Sequence, residues 1–225
     1  MGKPSKSEQL IYKSAFLKAY YPAEFMASVI SQGGGFYVGN IEHYLNEARR
    51  MGVTIMPPDI NLSSMEYQGE HLDIRVGLNQ IKGVSKALFK RILSERELGL
   101  FTGLEDFLER VSPSFVEAKI LVKARVFGSI RKTNKSKINH SELMWRVYQF
   151  FARKNGHIGQ EENLPILRKE IPEMSHQKLI CWEYEGLNGF VTFPSWFLYR
   201  DLLKNRQIVV GKELVRYIDQ EVIVY

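Results

Sequence analysis

The chain has 225 residues, 44% of them hydrophobic, which is enough for one large domain or two small ones with real cores. A single cysteine, Cys181, excludes an internal disulfide and a cysteine-rich zinc site, and is expected to pack as a small hydrophobe. The five histidines (His43, His71, His140, His157 and His176) lack metal-ligand spacing. The net charge of +6 is unevenly held: residues 1–80 carry 7 Lys and Arg against 8 Asp and Glu, residues 81–155 carry 16 against 7, and residues 156–225 carry 8 against 10. A basic block confined to one segment is the footprint of a polyanionic partner. No apolar run approaches bilayer length, and Met1-Gly2-Lys3-Pro4-Ser5-Lys6 has no signal-peptide core, so a cytoplasmic protein without a membrane partner is expected.

In chain order, residues 8–31 read as helix, with Leu10, Ser14, Leu17 and Tyr21 on one face and Pro22 as punctuation. Gly33-Gly34-Gly35 runs into Phe36-Tyr37 rather than Lys-Ser/Thr, so it is a connection and not a phosphate loop. Ile41–Met51 is amphipathic, with Ile41, Tyr44, Leu45 and Ala48 inward, Arg49-Arg50 outward and Gly52 as its end. Val53–Met56 is a short extended run stopped by Pro57-Pro58, and residues 64–78 alternate around Gly69-Glu70, which suggests a small β-hairpin.

At Ile81-Lys82-Gly83-Val84-Ser85-Lys86 a helix is expected to end in a Gly-containing hairpin, with a second helix starting at once through Ala87-Leu88-Phe89-Lys90-Arg91-Ile92-Leu93. A helix-hairpin-helix of this kind presents unpaired backbone N–H groups to a phosphate, which needs no side-chain specificity. Such contacts position a protein on DNA without reading its sequence. Leu104, Phe107, Leu108 and Val111 then lie at helical spacing, and Ser112-Pro113 restarts a helix to about Ala124, giving a second helix–turn–helix. Arg131–Lys137 is a basic loop, and Ser141 caps a helix with the stripe Leu143, Met144, Val147, Tyr148 and Phe151. Residues 156–175 read as a polar linker, followed by helices near 176–187 and 195–204 and by β-like runs at 207–210 and 221–225. The last of these has nothing left to pair with, as if the chain were cut at the start of another domain. The predicted fold is mainly α and multi-helical, with a small β-hairpin and a tandem helix-hairpin-helix module.

Tyr12-Lys13-Ser14-Ala15-Phe16-Leu17-Lys18-Ala19-Tyr20-Tyr21-Pro22-Ala23-Glu24-Phe25-Met26 is similar to the late fingers helix of the bacterial DNA polymerase III alpha subunits, the family C polymerases. Glu47–Val53, Pro57-Pro58-Asp59-Ile60-Asn61, Val76-Gly77-Leu78, Gly83-Val84, Leu104–Val111 and Val126–Ile130 follow in that family's order. The resemblance covers almost the whole chain. It implies outer fingers over residues 1–78 and a tandem helix-hairpin-helix module over 79–155. A helical linker leading into a truncated OB domain is implied over 156–225. Three departures stand out: Ser85 replaces the usual second Gly of the hairpin, Phe193 replaces the His of a His-Pro pair, and the match fades before Tyr12.

The resemblance implies a DNA-binding fragment that grips double-stranded or primer-template DNA during replication, packed against the rest of the polymerase chain. Lys82, Gly83, Val84, Ser85, Lys86 and Lys90 form the expected first layer of phosphate contacts, with Lys119, Lys123, Arg125, Arg131 and Lys132 behind it. The palm carboxylates that hold magnesium in this family would precede residue 1. No catalytic residue, no cofactor and no polymerisation are therefore expected of this chain alone, although the parent is a nucleotidyltransferase. Gln160 and Leu164 sit in a degenerate form of the family's sliding-clamp motif, so a clamp-docking module is an alternative function. A second alternative is a helix-hairpin-helix DNA glycosylase, with Asp106 as its catalytic carboxylate. Glu105, Asp106 and Glu109 otherwise read as a solvated helix face.

Overall fold

The computed structural model describes residues 5–33, 41–130, 138–155, 171–187, 189–199, 208–209, 215–218 and 223–224. These fall into two compact units, one up to Thr192 and one from Phe193 onward. Ser5 and Glu8 form a reciprocal capping box that starts helix α1 (Lys6–Tyr20), which buries none of its residues. Pro22 opens α2 (Pro22–Ser31), whose Ala23, Met26, Ala27 and Ile30 are buried at helical spacing. Helix α3 (Ile41–Arg50) buries Leu45 and Ala48. Arg49 does not simply face out: its guanidinium donates to Asn46 Oδ1 and to the Val191 carbonyl.

The expected hairpin is present as β2 (Gln68–Glu70) paired antiparallel with β3 (Asp73–Arg75). A third strand, β1 (Thr54–Met56), adds parallel to β3 with Ile55 opposite Ile74. Val76 N–H still donates to the Met56 carbonyl, so the chain stays in the sheet until just before the first turn. Only a 3-10 turn (Leu78–Gln80) fits there, where the sequence suggested a preceding helix.

A polar strap joins the sheet region to the helices that follow. Buried Asp59 accepts hydrogen bonds from Asn61 N–H (2.9 Å), Ser129 N–H (2.7 Å) and the Ser129 hydroxyl (2.8 Å). Asn61 exchanges two bonds with the Phe101 backbone, and Ile60 N–H donates to the Val126 carbonyl. Helix α4 (Lys86–Glu97) is tied to the same strap by Arg96, which donates to the Ile60 and Ser63 carbonyls. Helices α5 (Leu104–Val111) and α6 (Phe115–Lys123) close the core, with Phe107 packed edge-on between Phe101 and Phe127 at 5.2 and 5.3 Å.

All four periodic apolar residues of α5 are buried, as the spacing indicated. Two caps fall elsewhere than expected. Ser114, not Ser112, caps α6, because Glu117 three residues on completes a capping box. Ser112 instead takes the left-handed conformation that ends α5. Asn139, not Ser141, caps α7 (His140–Lys154), with Oδ1 accepting from Glu142 N–H at 2.8 Å. Helix α8 (His176–Leu187) buries Leu179, Ile180, Trp182 and Glu183, which leaves Cys181 exposed rather than packed as a hydrophobe.

In the second unit, residues Ser195–Tyr199 make only a 3-10 turn. The C-terminal strand does have a partner: β4 (Ile208–Val209) and β5 (Ile223–Val224) pair in parallel, Ile208 opposite Ile223.

Helix α8 crosses the end of α6 at Gly186, where a Cβ would lie 2.8 Å from Ala124 N. Gly186→Ala forces that crossing apart and should cost about 1–3 kcal/mol in urea denaturation. Asp59→Asn leaves an amide donor facing the Ser129 N–H, and the same measurement should show a loss of about 1–3 kcal/mol.

Candidate nucleic-acid interface

The first turn is shaped by Gly83, at φ +75°, where a Cβ would also meet Ile120 Cδ1 at 2.8 Å. Its entry is fixed by Lys82 N–H donating to the Gly186 carbonyl at 3.0 Å. Ser85, extended at φ −74° and ψ 145°, caps α4 by accepting from Leu88 N–H at 3.2 Å. The Ser found in place of a second glycine is thus a working N-cap. Helix α4 buries Leu88, Phe89 and Ile92 and turns Lys86, Lys90 and Arg91 to solvent. Lys82, Lys86 and Lys90 are all exposed and form no ion pair with another described residue. The backbone N–H groups of Gly83, Val84, Lys86 and Ala87 have no acceptor among the described residues. Amide donors at a helix start, with three exposed lysines on the same stretch of chain, can hold an oxyanion.

The second turn, Ser112-Pro113-Ser114, lies beside the first. The Arg91 guanidinium reaches the Ser112 carbonyl (3.5 Å), and Glu117 joins the two turns directly. One oxygen of its carboxylate, Oε2, accepts from Ser114 N–H (3.0 Å) and the Ser114 hydroxyl (2.8 Å). The other, Oε1, accepts from Ser85 N–H (3.2 Å) and the Ser85 hydroxyl (2.9 Å). Burial pushes the Glu117 carboxyl up, but the bonds from Ser114 and Ser85 outweigh it and hold its pKa below the usual carboxylate range. Of the backbone amides expected to face a phosphate, the one on Ser85 is therefore taken by this chain's own carboxylate. The Ser114–Glu117 half of this arrangement is legible as a capping box. The Ser85 half spans 32 residues and has no local signal.

The second layer of basic residues is differently placed. The Lys119 ammonium lies 4.5 Å from the Phe115 ring centre and 5.9 Å from that of Tyr148. Lys123 pairs with Glu185. Arg125, at φ +63°, pairs at 3.2 Å with Glu183, which is 1% exposed and also accepts from Val191 N–H and Thr192 N–H. Arg131, Lys132, Gln160 and Leu164 lie outside the described residues.

Asp106 is engaged locally, accepting from Thr102 N–H at 2.9 Å with Arg110 at 3.6 Å, and Glu105 pairs with Arg146 at 3.3 Å. Among the described residues no group of three or more His, Cys, Asp or Glu could hold a metal ion, and no helix is long and apolar enough to cross a membrane.

A family model for the helix-hairpin-helix motif matches residues 52–142, a span that includes both turns. DNA polymerase III subunit alpha of Buchnera aphidicola is 37% identical over 128 residues, covering 56% of this chain and 11% of that protein. The Thermus aquaticus subunit is 35% identical over 191 residues, covering 81% of this chain and 15% of its own length. The Helicobacter pylori subunit is 28% identical over 238 residues, covering 94% of this chain. The chain spans between 11 and 19% of the length of these curated relatives. By these matches the chain is related, over most of its length, to part of the bacterial DNA polymerase III alpha subunit, and it carries a helix-hairpin-helix motif within that part.

Proposed function

We propose that this chain grips duplex DNA through phosphate contacts at the Gly83–Lys86 turn, as the DNA-holding part of a polymerase III alpha subunit. The carrying observation is the turn itself: four backbone N–H groups without an acceptor among the described residues, flanked by exposed Lys82, Lys86 and Lys90. Backbone amides and exposed ammonium groups suit a negatively charged backbone of any sequence, which a replicating enzyme must follow. The relatives, named as DNA polymerase III alpha subunits, support a role in replication.

Within the reading, residues 79–155 supply the grip and residues 1–78 sit on the fingers side. The nucleotidyl transfer itself belongs to carboxylates elsewhere in the polymerase, so this chain alone extends no primer. Lys123 and Arg125 contribute mainly to holding α8 in place, since their charges meet Glu185 and Glu183.

Fluorescence anisotropy with matched duplex, primer-template and single-stranded DNA across a salt series tests the proposal. Duplex-containing ligands should bind best, with log affinity falling against log salt at a slope of about −3 to −4. Replacing Lys82, Lys86 and Lys90 together with alanine should make that slope shallower by about 2 to 3 and weaken binding at low salt at least tenfold, on the order of one lost counterion per lysine. All three side chains are exposed, so circular dichroism should be unchanged. A triple variant that binds like the parent overturns the site.

A further inference from the structure

We infer that Glu117 is a built-in competitor at the DNA-gripping turn, one that lowers affinity for duplex phosphate; the inference rests on the DNA-binding reading above. Its carboxylate lies across the starts of α4 and α6, with each oxygen accepting one backbone N–H and one hydroxyl. That is the coordination a bound oxyanion would have there, with donors supplied by two helix N-termini. A phosphate docked on the neighbouring amides of Gly83, Val84, Lys86 and Ala87 would meet an ionised carboxylate a few ångströms away. The pKa held below the usual range keeps Glu117 charged throughout the physiological range.

The lysines and Glu117 therefore act in opposition. The ammonium groups of Lys82, Lys86 and Lys90 attract the DNA backbone, and the carboxylate held against Ser85 repels it. A grip that must slide along a duplex gains from such opposition, because every register is then held loosely. Geometry adds a second effect. With the Ser85 N–H occupied, a phosphate is directed toward the Gly83–Val84 side of the turn and the first turn of α4.

Glu117→Gln tests this in the full 225-residue chain. Through its one carbonyl oxygen glutamine keeps the capping-box bond to the Ser114 N–H, while its amide donor replaces the oxygen facing Ser85. The variant thus removes the charge and gives up the bond from the Ser85 N–H. Duplex affinity at about 50 mM salt should rise about three- to tenfold, and the gain should fade as salt shortens the screening length. Glu117→Asp keeps the charge and shortens the reach to Ser85; it should not tighten binding.

A merely structural role for Glu117 would weaken binding in both variants, in step with their thermal stability. If the parent chain binds duplex through its lysines and Glu117→Gln binds no tighter, the inference is overturned while the DNA-binding reading stands. If neither chain binds duplex at low salt, the DNA-binding reading falls and the inference with it. Duplex binding that appears only in Glu117→Gln supports the inference in its strongest form.

Discussion

Asp59 is a buried carboxylate whose bonding comes from ordinary backbone and hydroxyl donors: the N–H of Asn61 and both donors of Ser129. A carboxylate removed from water must have its oxygens filled, and these donors lie on two segments that would otherwise be unrelated. Once they converge, Asn61 can meet Phe101, Ile60 can meet Val126, and Arg96 can bring α4 onto the strap. The position of both helix starts at the interface follows from this chain of bonds. The aromatic stack of Phe101, Phe107 and Phe127 fills the space that the strap encloses. Hydrophobic burial supplies the drive for folding here, while directional bonds choose which turn faces which.

What could be read from the residues was the part with short-range logic. Helical spacing in α5 identified all four of its buried residues, Pro22 marked a helix start, and the alternation near Gly69 marked a hairpin. Misplaced boundaries came from local rivalry between equivalent capping residues. Ser112 and Ser114 are chemically alike, and only the Glu three residues after Ser114 decides between them. Pairing at long range had no such signature: β1 joining β3 in parallel, the β4–β5 pair, and Gly186 accepting from Lys82 all link residues far apart in sequence.

The candidate site divides in the same way. Lysine positions around the turn follow directly from the sequence, and their exposure follows from the apolar face of α4. The partners that take up the charge of Lys123 and Arg125 do not, because Glu183 and Glu185 come from a helix about sixty residues later. Counting basic residues thus overstates the charge offered to a polyanion. The field at the surface depends on which cations keep a carboxylate close by, and that is a property of the fold.

The carbonyl of Gly186 and the carboxylate of Glu183 sit on one helix, α8, and both hold elements that precede them by more than fifty residues. Motif boundaries and mechanical boundaries therefore differ in this protein. A piece trimmed to the two turns and their helices would lack the group that fixes the Lys82 amide. It would also leave the Arg125 guanidinium, held in a left-handed backbone, without its buried counterion. Modularity here is a matter of which helix closes the unit, and a portable form of the two turns extends at least through α8.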